Sequence, residues 1–557
     1  MRRPGTRSRA GPCPTQTSRS ACVKASRCCA KVDVAVSKHC PDTPGTSFCM
    51  EYEPGIVRRL FPRGGLAHMT RFFRRPSILA AALALGLQAC GGTEVASDEL
   101  LPAASEAVAS PQPLLQDAVP GDILTALHAI PGLTVVSEAP PPAPGVRHFV
   151  LNYDQPADHR HPEGVRFQQR MTLRFVNAEA PMVLGSSGYG ISTRSTRLEP
   201  TALLGANQLL VEHRFFEPSR PDPANWKLLS IEQAAADHHR IIQAFKPLFA
   251  GKWISTGASK GGMTSVYHRA FYPNDVDATV AYVTPNSYGT QDPRYVSFLG
   301  KLGTPECRER IRGFQREVLE RRAETAAVFA ARTSAQGLTF HLLGNDKALE
   351  FTLLEFAFAF WQYGDASLCP EIPASGSSAE TLVDFLDGVV GLSYMSDSDL
   401  DYYAAYDFQA GTQLGSYASE ERHLRGVLRY PRQYDPRTLV PFDMKPYPFN
   451  PFAMPLVEGW VKAFGQRILF VYGANDPWST GAFDVRSRND SYRFYVPDGN
   501  HGSSIRALPE ADRAVALERL GAWAGVPATI PLASLKASGA EDIHTGVVDR
   551  RRVPPRD

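Results

Sequence analysis

KWISTGASKGG, residues 252–262, decides how the rest of the chain is read. KWIS has the composition of a short strand. Gly257, Ser259 and Gly261 then make a G-x-S-x-G turn, and from Gly262 a helix runs to just before Pro273. Small residues on both sides of a serine let the backbone turn sharply between strand and helix, which exposes the hydroxyl. Without its context the pattern also fits a plain glycine-rich turn. Its place between a strand and a helix marks a nucleophile elbow, with Ser259 as the nucleophile.

A serine hydroxyl needs a base, and the base needs an orienting acid. Both are sought after strands further along the chain, acid first and histidine second. RILFVY (467–472) runs into Gly473-Ala474-Asn475-Asp476, and YRFYV (492–496) runs into Pro497-Asp498-Gly499-Asn500-His501. Asp476 and His501 therefore complete the catalytic set. Asp498 is a rival acid that also suits a turn, and Asp484 is a weaker one. The developing oxyanion needs N–H donors. Lys260, the residue after the nucleophile, offers one. Gly188 and Tyr189, in the loop GSSGYG (185–190), offer the other. His238 and His239 read as solvated helix surface, and His159 and His161 as a polar loop. Neither pair has a third ligand at metal-binding spacing, so no metal and no cofactor is expected.

Working outward, short strand-like runs at 147–153, 169–176, 182–184 and 208–213 precede the elbow. A helix starts at Ser230, which forms a capping box with Gln233. ATVAYV (278–283) is a buried-type strand. Strands alternating with helices give a mostly parallel sheet covered on both faces. Between Ser259 and Asp476 lie far more residues than completing such a sheet needs, roughly 60–100 by ordinary element and loop lengths. The excess is helical, beginning at Thr304-Pro305-Glu306. The fold class is therefore α/β, an α/β-hydrolase fold with a large helical cap inserted between nucleophile and acid. Cys307 and Cys369 both fall in the cap, either as a disulfide or as two buried thiols.

Of the 557 residues, 43% are hydrophobic and 21% charged, which excludes a mainly disordered chain. Residues 1–89 hold 15 Lys/Arg against 4 Asp/Glu, whereas the remainder holds 44 against 53. The folded part is acidic, which argues against nucleic acid as a partner. Arg71, Arg74 and Arg75 precede the apolar run SILAAALALGL (77–87), and LQAC (87–90) follows. This reads as a signal peptide with a lipobox, Cys90 taking the lipid. Six further cysteines lie before residue 50, at no spacing that suits zinc. The expected organisation is an upstream extension ahead of the true start (1–68), a signal peptide (69–89), a lipid-anchor tether (90–118), the first part of the hydrolase core (119–303), the helical cap (304–440), the second part of the core (441–525) and a less structured tail (526–557). A cell-envelope lipoprotein or a secreted protein is expected. The only membrane contact would be through that anchor, and the oligomeric state is left open.

NYDQPADHRHPEGVRFQQR (152–170), GYGIS (188–192), EPTALLGANQLLVEHRFFEPSRP (199–221), STGASKGGMTSVYHRAFYPNDVDATVAYVTPN (255–286) and GANDPWS (473–479) together carry a resemblance. The chain is similar, over about 140–525, to the secreted bacterial tripeptidyl aminopeptidases. These are serine peptidases distantly similar to the Pro-X carboxypeptidase and dipeptidyl-peptidase II group. The resemblance implies a Ser259–Asp476–His501 triad. It also implies release of tripeptides or tetrapeptides from free N-termini, with proline near the cleavage point in several members. Glu212 and Arg214 are candidate substrate-binding residues, Glu212 as holder of the ammonium; the bland reading is a buried ion pair. The same triad serves an esterase or a carboxypeptidase, and a non-catalytic lipoprotein on a hydrolase fold is the remaining alternative.

Overall fold

The computed structural model describes residues 122–441, 444, 447–531 and 543–548. The signal peptide, Cys90, the tether, the upstream extension and most of the C-terminal tail lie outside the described residues. The strands are β1 (Leu133–Ala139), β2 (Arg147–Pro156), β3 (Arg166–Phe175), β4 (Met182–Ser186), β5 (Arg197–Leu198), β6 (Asn207–Val211), β7 (Trp253–Ala258), β8 (Ala278–Tyr282), β9 (Ile468–Gly473), β10 (Tyr492–Val496) and β11 (Ile543–His544). The helices are α1 (Ile123–His128), α2 (Glu199–Leu204), α3 (Ile231–Phe245), α4 (Lys260–Phe271), α5 (Arg294–Leu299), α6 (Pro305–Glu320), α7 (Arg322–Ala335), α8 (Asn345–Tyr363), α9 (Ala379–Val389), α10 (Asp397–Gln409), α11 (Ala453–Phe464) and α12 (Glu510–Ala524).

Nine strands form one sheet in the order β1-β2-β3-β6-β4-β7-β8-β9-β10. From β6 to β10 every pair is parallel, while β1, β2 and β3 join antiparallel at one edge. Every residue of β4, β6, β7, β8 and β9 is buried, as strands covered on both faces require. Ile468, Phe470 and Tyr472 face α3, α4 and α11. Leu469 and Val471, one residue out of phase, face α2 and α12. The result is an α/β-hydrolase core. The chain leaves β4 outward to β6 and returns inward to β7, so a crevice opens at their carboxyl ends, where α/β sheets bind ligands.

Between β8 and β9 the described residues contain helices and turns but no strand. The cap packs its own core, with Phe314, Val318, Phe329, Phe356 and Leu382 at its centre. Tyr295 and Leu299 of α5 already belong to that core, so the cap starts before residue 304. A Cys307–Cys369 disulfide ties the start of α6 to the turn after α8, closing 62 residues. Loop closure of that length contributes about 4 kcal/mol. Thr304 caps α6 by accepting from the Cys307 N–H at 3.2 Å.

The tail departs from expectation. Ile543 and His544 form β11 and pair with β5, bringing 543–548 back onto the core. The pairing is parallel, with Ile543 opposite Arg197 and His544 opposite Leu198.

Candidate active site

Ser259 stands between β7 and α4 at φ 53° and ψ −123°, a region that costs energy for any residue with a side chain. Surrounding contacts hold it there. Its N–H donates to the Tyr282 carbonyl at the end of β8, at 2.9 Å. The 185–190 loop lies on the elbow backbone to backbone: Gly188 has φ 76°, and a Cβ there would sit 2.5 Å from the Gly261 nitrogen.

Asp476 and His501 come from two loops that are stitched together. Ala474 N–H donates to Val496 O at 3.0 Å and Asn475 N–H to Gly499 O at 2.9 Å. His501 Nδ1 lies 2.7 Å from Asp476 Oδ2, and both side chains are buried. The other carboxylate oxygen of Asp476 accepts from the Trp478 N–H at 3.1 Å. An ionised carboxylate only accepts, so Nδ1 carries the proton and Nε2 keeps its lone pair. Nε2 is buried and makes no hydrogen bond, Ser259 included. The structure thus joins Asp476 to His501 directly, without a serine–histidine hydrogen bond. The cap takes part as well, because His501 N–H donates to Gln362 O at the end of α8, at 3.0 Å. Asp498 sits at positive φ and receives the Asn475 amide at 3.4 Å, and Asp484 pairs with Lys462 at 2.7 Å. Neither reaches His501.

At the anion-stabilising loop, the Tyr189 N–H is engaged by Ser187 Oγ at 3.1 Å, which removes it as an oxyanion donor. The Lys260 side chain, which the sequence reading passed over, is fully buried. Its Nζ donates to Gly188 O at 2.6 Å and lies 5.6 Å from both the Tyr189 and Phe216 rings. Burial holds its pKa well below the usual lysine value.

The two expected substrate-binding residues face inward instead. Arg214 is spent on Asp237, contacting both oxygens at 2.6 and 2.7 Å, and on the carbonyls of Ala157 and Leu228. A fully buried guanidinium so saturated has no donor left to offer a substrate. Glu212 is fully buried, accepting from Ser219 Oγ at 2.7 Å and Ile191 N–H at 3.1 Å, and it does not line the Ser259 cavity. His238 is buried rather than solvated, whereas His239 keeps about a third of its side chain exposed. His238 meets Ser186 Oγ at 3.1 Å and His239 meets Asp275 at 2.8 Å, because α3 turns this side of its surface onto α4 and its C-terminal loop. His159, read as part of a polar loop, joins Asp237 at 2.7 Å.

Burial pushes the Glu212 carboxyl from 4.5 up to about 7, against the hydrogen bonds from Ser219 and Ile191 that favour its ionised form. A carboxyl raised by folding contributes stability that is complete below about pH 4.5 and is lost as pH rises through about 7. Glu212→Gln should therefore stabilise the protein by up to about 3 kcal/mol at pH 8 and by nothing comparable at pH 4. Denaturant titrations at the two pH values check this. Equal differences at both would remove Glu212 as the source.

Ser259, Tyr189 and Trp478 line one cavity together with cap residues, among them Glu355, Asp407, Tyr417 and Tyr434. Glu355 Oε2 accepts from the hydroxyls of Tyr434, at 2.7 Å, and of Tyr417. These residues are distant in sequence, so no local motif announces them. One signal was present: Glu355 is the single charge in FTLLEFAFAFW (351–361).

The PS-10 peptidase S37 family matches residues 117–552. The prolyl tri/tetrapeptidyl aminopeptidase of Streptomyces mobaraensis is 42% identical over 456 residues, which are 81% of this chain and 91% of that one. Among solved structures, the proline iminopeptidase of Mycobacterium smegmatis covers 67% of this chain and 98% of its own at 15% identity, with a TM-score of 0.30. The peroxisomal α/β-hydrolase Lpx1 of Saccharomyces cerevisiae covers 68% and 89% at 10% identity, with a TM-score of 0.28. At such scores these likenesses bear no weight, and the fold rests on the strand order itself.

Proposed function

The chain belongs to the PS-10 peptidase S37 family, and from that premise we propose that it is an extracytoplasmic serine exopeptidase releasing tripeptides or tetrapeptides from free peptide N-termini. Ser259 attacks the scissile carbonyl, His501 takes its proton through Nε2, and Asp476 holds the imidazole in the required tautomer. The Lys260 and Gly188 N–H groups are the donors assigned to the oxyanion. His501 then protonates the leaving amine, and water hydrolyses the acyl-enzyme. The observation that carries this reading is the 2.7 Å contact of buried Asp476 with His501, beside a cavity that Ser259 lines. A small shift of the Ser259 side chain or of the histidine loop completes the relay when substrate arrives, since such hydrogen bonds tighten in the complex.

The cap supports the exopeptidase reading, because a covered site admits chain ends rather than folded protein. The signal-peptide-like segment ending at Cys90 supports action outside the cytoplasm. One assay tests both. A tripeptidyl chromogenic substrate with a free amine is offered to intact cells and to lysate, beside its N-acetyl form. Intact cells should cleave the free-amine substrate as fast as lysed ones. Activity that appears only after lysis would end the extracytoplasmic claim, and equal cleavage of both substrates would end the aminopeptidase claim.

A further inference from the structure

If the site works from free N-termini, as proposed above, some group must hold the ammonium, and Glu212 does not reach the cavity. Three buried carboxylates line the cavity, and among the described lining residues there is no lysine or arginine. Asp435 is already neutralised by Arg437, which contacts both its oxygens at 2.9 Å. Glu355 is tied instead to the aromatic wall: it accepts from the hydroxyls of Tyr417 and Tyr434, and the Tyr417 ring packs 5.5 Å from that of Trp478. A chamber lined by carboxyl groups and aromatic rings suits a cation better than a carboxylate.

A second observation points to a ligand. Trp478, 7% exposed, lines the same cavity, and its indole Nε1 has no hydrogen-bond partner. A buried donor left unpaired asks for an acceptor, and a peptide carbonyl is one. Trp478 also measures the site. Its ring centroid lies 6.4 Å from that of His501 and 5.5 Å from that of Tyr417, so Tyr417 stands within about 12 Å of the base. Three extended residues span about 10 Å.

We propose that Glu355, ringed by Tyr417 and Tyr434, binds the α-ammonium of the substrate, and that the short reach from this anchor to the base limits the length of the released peptide. The ammonium would bond the carboxylate and lie against the Tyr417 and Trp478 rings, while the indole N–H takes a backbone carbonyl between anchor and serine.

The test is the ratio of kcat/KM for a tripeptidyl chromogenic substrate to that for its N-acetyl form, a ratio that loss of folded enzyme leaves unmoved. Wild type should show a ratio of about 100 or more, as for removal of one partner of a buried charge pair. Glu355→Gln should bring it below about 5, while Glu355→Asp, which keeps the charge, should hold it above about 10. If the glutamine variant does not accumulate, Tyr434→Phe, a loss of one oxygen, should still shift the ratio at least about threefold. A wild type that discriminates, with a glutamine variant that discriminates equally or a Tyr434→Phe ratio that does not move, overturns the anchor and leaves the exopeptidase reading standing. A wild type that does not discriminate overturns the amino-end reading and the anchor with it.

Discussion

Alanine at Ser259 should abolish peptide hydrolysis, lowering kcat by about 10⁴–10⁶, because what remains is oxyanion stabilisation and binding without a nucleophile. Stability should change by less than about 1 kcal/mol. The residue is held by its backbone, through the Tyr282 carbonyl and the glycine contacts around it. Alanine keeps the Cβ and removes one oxygen. Paired measurements of turnover and thermal unfolding decide the matter. Turnover within tenfold of wild type would reject Ser259 as nucleophile, and a collapse of the melting transition would show that the hydroxyl is structural.

Asparagine at Asp476 should lower kcat by about 10⁴. Two donors compete for this side chain, the Trp478 N–H and the His501 Nδ1–H, and each now has a carboxylate oxygen of its own. An amide has one oxygen. If that oxygen stays with Trp478, the NH₂ group faces Nδ1, which must then accept, and the ring proton moves to Nε2. A protonated Nε2 cannot take the serine proton. If the amide turns over, the Trp478 N–H meets another N–H and the loop strains. Asp498→Asn, by contrast, should stay within about twofold, since among the described residues its side chain meets the neighbouring loop through one long contact, to Asn475. A reversal of the two results would make Asp498 the acid.

The elbow was legible because its strand, turn and helix are contiguous, and each residue's role follows from local backbone sterics. Asp476 and His501 were legible because both follow a strand, and the cap because the serine-to-acid spacing exceeded what a sheet needs. What escaped reading was long-range. β1 alternates poorly, with mostly exposed residues at a sheet edge, so its periodicity carries no signal. Arg214 looked available because its partner Asp237 stands on another element, 23 residues away. Glu212 carries the charge an amine anchor needs, yet only the three-dimensional packing shows that its carboxylate is enclosed. The tyrosines that grip Glu355 stand 62 and 79 residues from it. Pairings of that kind are properties of the assembled cap, whereas propensity and period are properties of a few neighbouring residues.

The pairing of β8 with β9 has a consequence for synthesis. Thr279 sits opposite Ile468, so the middle of the sheet closes only after the entire intervening cap has been made. Contacts across such a loop form late, because closure entropy is lost before any pairing is gained. Asp476 and His501 follow later still. A ribosome that has delivered the serine has delivered no base, and a chain broken off anywhere before residue 501 presents a nucleophile with nothing to activate it. The order of the elements keeps the unfinished polypeptide harmless to its neighbours until β10 and the histidine loop behind it have found their place.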